Sequence, residues 1–165
     1  MAEETTPRPR IARGKRRDQY TRIPIFSLRL VRERTVACPE PGVGCEAQAA
    51  RILHALLDAA DREKLVVICV NGRNIPVAIE IAAVGGLHGC SVEPRDLLKV
   101  VLLSNASAFL LGHNHPGGDP VPSREDIALT ASVKKAAEAL GTPLLDHVIV
   151  APNGRHASFS ELGLL

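Results

Sequence analysis

The apolar positions of this chain follow two periods, and the switches between them mark its elements. Ala49, Ile52, Leu53, Leu56, Leu57 and Ala60 recur at spacings of three and four, which predicts a helix over residues 46–60. Lys64 to Val70 is a short run rich in Val and Ile and reads as a buried strand. Asn71-Gly72 marks a tight turn into a second strand, Pro76 to Val84. Gly85, Gly86 and Gly89 break it, and Glu93-Pro94 opens a helix through about Leu103. Ser107 to His113 is almost continuously apolar, so a third strand covered on both faces is expected. A loop over 114–122, with two Gly and three Pro, leads to a helix over 124–140. That helix should turn Ile127, Ala131, Val133, Ala136, Ala137 and Leu140 inward and end at Gly141 and Pro143. Leu144 to Val150 reads as a strand; Pro152-Asn-Gly154 turns the chain into His156 to Phe159, and it closes on Leu162, Leu164 and Leu165. Ahead of all this, Leu28 and Leu30 alternate with Ser27, Arg29 and Val31, which suggests an exposed strand after Ile23. Strands and helices alternate without an internal repeat, so the class is α/β, with helices against one sheet.

Composition refines this picture without changing it. The 165 residues suit one domain with a core of Leu, Val, Ile and Ala, since the chain has three Phe, one Tyr and no Trp. Scarce aromatics argue against base stacking on single-stranded nucleic acid. Net charge is +2 but uneven, with ten Lys/Arg against four Asp/Glu in residues 1–35 and ten against fourteen thereafter. Residues 1–21 therefore form a basic arm ahead of a domain at 22–165, and the arm is a candidate contact for nucleic-acid phosphates, for another subunit, or for solvent alone. Cys38, Cys45, Cys69 and Cys90 form no C-x-x-C pair and read as reduced thiols. No signal design opens the chain and no apolar run approaches ~20 residues, so a cytoplasmic protein without a membrane span is expected.

One stretch carries chemistry. His113 and His115 lie two apart at a strand end, so both imidazoles point the same way. Asp126 falls in the first turn of the following helix, whose start can return to that strand end. Two neutral His and one Asp make a three-ligand site with an open position, the arrangement zinc uses in catalysis. Ser123-Arg-Glu-Asp126 is also a plain capping pattern, and Asp119 and Glu125 compete with Asp126 as ligands. Asp146-His147 is either a support for such a site or a satisfied core pair, and His54, His88 and His156 read as surface residues.

His113-x-His115, seven residues, then Ser123-x-x-Asp126 matches the JAMM signature in full. The text His113-Asn-His-Pro-Gly-Gly-Asp-Pro-Val-Pro-Ser123 resembles the RadC-type branch of the JAB/MPN superfamily, as do Leu145-Asp-His-Val-Ile149, Pro94-Arg95 and the terminal Leu162-Gly-Leu-Leu165. The resemblance spans roughly residues 22–165 and implies a cytidine-deaminase-like mixed sheet flanked by helices. It implies one Zn2+ per chain on His113, His115 and Asp126, with Ser123 supporting the bound water or the oxyanion. It implies a general base on an early strand, placed by alignment on Glu63, with Glu80 as the alternative. A peptide or protein substrate, cleaved at a peptide or isopeptide bond, and a homodimer are the partners to expect. The historical DNA-repair label of the branch suggests an accessory protein on DNA as the alternative function. Gly117, Glu93, Asp96 and Gly86 depart from the residues usual in the branch, and none of them is a proposed ligand.

Overall fold

The computed structural model describes residues 23–38, 41–85 and 92–165. The arm at 1–21, Gly86, Gly89, His88 and Cys90 lie outside the described residues. The elements run α1 (Glu46–Leu57), β1 (Lys64–Val70), β2 (Pro76–Val84), α2 (Pro94–Leu103), β3 (Ala108–Asn114), α3 (Arg124–Ala139), β4 (Leu144–Ala151) and β5 (Arg155–Ser158). One sheet takes them in the order β2-β1-β3-β4-β5. Only β3 and β4 run parallel, with α3 as their crossover; the other neighbours are antiparallel, so the sheet is mixed.

Alternation along the central strands divides the core. Val66, Ile68 and Val70 of β1 and Leu110 of β3 pack beneath α1, with Ile52, Leu53 and Leu57. Leu65, Val67 and Cys69, with Phe109 and Leu111, pack beneath α2 and α3 on the other side. All seven residues of β3 are buried, as a strand covered on both faces must be. The approach of α1 is close: a Cβ at Gly112 would lie 2.4 Å from the methyls of the fully buried Leu53.

The helix ends follow from local chemistry. Glu93 and Asp96 form a reciprocal capping box at the start of α2, with Pro94 in its first turn, so both departures from the branch pattern serve that helix start. Ser123 and Asp126 form the corresponding box at α3. Past α3, Gly141 takes a positive φ of 68°, which ends the helix.

Three expectations need correction. Residues 23–38 form no strand: Ile25 and Phe26 are 99% and 81% exposed, with apolar residues falling on both sides, so no single face offers itself for pairing or burial. The turn after β1 spans residues 71–75 rather than Asn71-Gly72 alone. The Asn71 side chain accepts from the amides of Arg73 and Ile75, and the left-handed residue is Asn74, at φ 56°. Finally, α3 is rotated from its apolar reading. Its buried residues are Asp126, Thr130, Val133 and Ala137, whereas Ile127 and Leu140 are 38% and 48% exposed and Ala131 is exposed. Two polar residues hold inward positions because they have partners there.

No helix among the described residues is long and apolar enough to cross a membrane.

Candidate metal centre

β3 ends inside the protein. His113 is 1% exposed and Asn114 is 6% exposed, and the chain continues through the half-buried His115 into the 115–122 loop. His113 shares its face with Phe109 and Leu111, beneath α3. The capping box at α3 aims Asp126, fully buried, back at the strand end. His113, His115 and Asp126 then each offer a ligand atom, all within 4.8 Å of one another. The Nε2 atoms of the two histidines are 2.9 Å apart. Asp126 Oδ1 lies 3.3 Å from His113 Nε2, and Oδ2 lies 3.6 Å from His115 Nε2.

The donor set fits a cation. Asp126 Oδ2 accepts from the Ser123 amide at 2.8 Å and from its hydroxyl at 2.6 Å, while the buried Oδ1 takes no hydrogen bond. His115 donates Nδ1–H to the Asp119 carbonyl at 2.7 Å, because a carbonyl can only accept. In the neutral ring its Nε2 then presents a lone pair to the cluster. Burial alone would push the Asp126 carboxyl up, but the two imidazoles beside it and the Ser123 hydroxyl hold it well below the usual carboxylate range. The Asp126 carboxylate beside it pushes the His115 imidazole up against the opposing effect of burial, and the Glu63 charge adds to the upward push. Anionic oxygen and imidazole lone pairs converging in a buried pocket bind a proton or a metal ion, and a borderline ion with nitrogen and oxygen ligands suits them.

The other sequence candidates fall as follows. Asp119 contributes its carbonyl to His115, and its carboxylate accepts from the Val121 amide; Glu125 is exposed, so neither joins the cluster. Ser123 gives its one hydroxyl proton to Asp126, so an oxyanion contact requires that proton to turn away from Oδ2, which would keep the Ser123 amide. Glu63 is half-buried just before β1. Leu65 pairs with His113, and continuing that antiparallel register sets Glu63 opposite His115. Glu80 pairs with Val67 on β2, and Val67 in turn pairs with Leu111, so Glu80 shares the face but is a full strand further from the cluster. Burial pushes its carboxyl up, opposed by Lys99.

Asp146 and His147 do not form a core pair. The Asp146 carboxylate accepts from the His147 amide, the Ser158 hydroxyl and the Ser160 amide, which fastens the end of β5. The His147 ring turns to the other side, stacks on Phe159 at 4.6 Å, and places Nε2 2.8 Å from His113 Nδ1. Burial, with His113 beside it, pushes this imidazole well below its ordinary range, so it is neutral. Sequence reading missed Thr130, which meets His147, and Asn114. Asn114 lies between the two histidines on the opposite face; it accepts from the Lys64 amide at 2.9 Å and donates to the Arg62 carbonyl at 3.0 Å. It thereby pins both neighbours of Glu63. The available signal was a polar residue alternating with the histidines on an otherwise apolar strand. His54, read as a surface residue, is mostly buried against Asp58, whereas His156 is exposed, on β5.

A mixed sheet with helices on both faces and a His-His-Asp group at a central strand end is the architecture of a JAB/MPN domain. Residues 43–164 match the RadC-like JAB domain family, and the chain belongs to it. It is 38% identical over 130 residues to a UPF0758 protein of Desulforamulus reducens, covering 79% of this chain and 54% of that one. A UPF0758 protein of Coprothermobacter proteolyticus is 37% identical, covering 82% and 56%. One from Methanosarcina barkeri is 30% identical, covering 86% and 61%. The chain thus spans little more than half the length of these relatives.

Proposed function

We propose that this domain is a zinc-dependent hydrolase of the JAMM class that cleaves a peptide or isopeptide bond, with one zinc held by His113, His115 and Asp126. The observation that carries the reading is the convergence of three ligand atoms within 4.8 Å around a buried carboxylate oxygen that has no hydrogen-bond donor. When bound, the ion supplies Lewis acidity, polarising a carbonyl and making water more acidic. Glu63, opposite His115 by register, takes a proton from the water that adds to the scissile carbonyl and gives it to the departing amine. Asn114 keeps that segment in line through its two backbone contacts. Ser123 keeps Asp126 aimed through its amide, and its hydroxyl proton, on turning from Oδ2, is the donor offered to the oxyanion.

The test is metal analysis joined to turnover. Protein purified without chelator should hold close to one zinc per chain, and His113→Ala should lose both the zinc and hydrolysis of a library of fluorogenic peptides and lysine-linked isopeptides. A wild-type protein that takes up no zinc from buffered solution overturns the reading. So does hydrolysis that His113→Ala leaves unchanged.

A further inference from the structure

The buried His147 lies on β4, outside the cluster of three, yet its ring is the sole hydrogen-bond contact of His113 Nδ1 among the described residues. It is 0% exposed and touches two other polar groups only through defined atoms. The proton positions follow by elimination from one end. The backbone carbonyl of Asp126 can only accept, so Thr130 Oγ1, 2.6 Å away, donates its single proton there. That leaves Thr130 Oγ1 as an acceptor at 2.7 Å from His147 Nδ1, which must carry the proton. A neutral His147 then has its lone pair on Nε2, and that atom faces His113 Nδ1 at 2.8 Å. His113 therefore carries its proton on Nδ1, and its Nε2 lone pair is turned towards His115 and Asp126.

We propose that Thr130 and His147 are positioning residues that fix the tautomer and ring angle of His113, so that its Nε2 is held ready as a ligand before any metal arrives. The inference rests on the reading of His113 as a metal ligand. The relay closes on itself. It starts from the carbonyl of Asp126, whose own carboxylate shares the cluster, so one turn of α3 both supplies a ligand and sets the protonation of another. His115 reaches the same tautomer by a different route, through the Asp119 carbonyl in an exposed loop. The buried histidine thus has a buried orienting partner, and the half-buried one has a loop carbonyl.

This arrangement explains two features that packing alone does not. Thr130 occupies an inward position of α3 where an aliphatic residue would fill the same volume. His147, fully buried on β4 between Asp146 and the buried apolar run Val148 to Ala151, is stacked on Phe159. Each stands at a position where its polar atoms must be satisfied: Thr130 by the Asp126 carbonyl and the His147 ring, and His147 by Thr130 and His113.

The experiment compares wild type with His147→Leu, His147→Gln and Thr130→Val, each first shown to fold by circular dichroism and thermal melting. Two readouts are taken. In chelator-treated protein, two-bond 1H–15N correlation spectra report which nitrogen of His113 carries the proton, with no metal involved. Zinc affinity is then measured by competition with a chromophoric chelator. Wild type should show His113 as the Nδ1–H tautomer. His147→Leu should lose that pattern and bind zinc about 10–100-fold more weakly, the usual effect of removing a ligand's orienting partner. Thr130→Val, which frees His147 to exchange tautomers, should show a mixed His113 pattern and a smaller loss of affinity. His147→Gln, whose side-chain oxygen can still accept from Nδ1–H, should restore most of both. A role in packing alone would lower melting temperature without moving the tautomer. If wild-type His113 is the Nε2–H form, or if His147→Leu binds zinc as tightly as wild type, the relay is overturned. If wild type shows the Nδ1–H form but binds no zinc, the relay stands and the metal reading falls.

Discussion

The two faces of β3 end differently, although one seven-residue strand builds both. Towards α1 the sequence reads Leu110, Gly112, Asn114; towards α3 it reads Phe109, Leu111, His113. The first face closes tightly on Leu53 at Gly112, and Asn114 then clips the backbone on either side of Glu63. The second opens at its end into imidazole and carboxylate, held in place by α3 and β4. The difference teaches a division of labour. The α1 face sets where the strand lies, and the α3 face carries the chemistry, so a change on one face should separate stability from metal binding and turnover.

The sharpest way to break this comparison is Glu63→Gln. Removing the proton carrier while keeping its shape should lower hydrolysis by about 10²–10⁴-fold, the usual contribution of general acid–base catalysis. Zinc content should be unchanged, since no ligand is lost. Activity retained within a few-fold, measured on the same isopeptide substrate, would remove Glu63 from the mechanism.

Gly112→Ala probes the other face. The added methyl would lie 2.4 Å from Leu53, which is fully buried and cannot swing clear. Overpacking of this kind costs about 1–3 kcal/mol, read as a lower midpoint in urea unfolding. Zinc affinity of the folded fraction should stay within about twofold. A change in affinity as large as the change in stability would show that the two faces are not separable.

Asn114→Ala lies between these cases. It removes two hydrogen bonds to the backbone flanking Glu63, each worth about 0.5–1.5 kcal/mol. The expectation is roughly tenfold slower turnover with zinc retained, because the base loses its alignment and the ligands do not. Equal loss of zinc and turnover would instead place Asn114 with the metal site.

Much of this was legible in the sequence, and the exceptions share a cause. Periodicity located β1, β2, α2 and β4 to within a residue, because Gly, Pro and Asn breaks bound their mostly apolar runs. The His-x-His and Ser-x-x-Asp spacing singled out residues that the fold brings together within 4.8 Å. What escaped was polar and buried. Ranking α3 by apolarity turned it onto Ile127 and Leu140, whereas its inward stripe begins with Asp126 and Thr130. A buried threonine looks like a surface residue until its partner His147, seventeen positions away, is known. The same blindness left Asp146-His147 open between a support for the site and a core pair, although successive strand residues point to opposite faces. Residues 23–38 failed in the opposite direction, being apolar enough for a strand but paired with none of the five strands among the described residues.

Glu80→Gln gives the smallest effect and asks whether a carboxylate on the chemical face matters merely by being there. Glu80 shares that face through its pairing with Val67, yet one of its oxygens is buried without a hydrogen bond. Burial raises its folded pKa, so the folded protein holds this proton to higher pH than the unfolded chain does. The sign follows: its contribution is favourable below about pH 4.3, where an unfolded glutamate is protonated, and is lost as pH rises through the raised value. Replacing it with Gln removes that loss. The variant should melt about 1–2 °C above wild type at neutral pH and equal it near pH 4, a small gap because solvent on the open side and Lys99 both offset the burial. Hydrolysis should stay within about twofold of wild type. A large fall in turnover with zinc retained would transfer the role of base from Glu63 to Glu80, and would mean that the reacting carbonyl sits further towards β2 than the position of His115 implies.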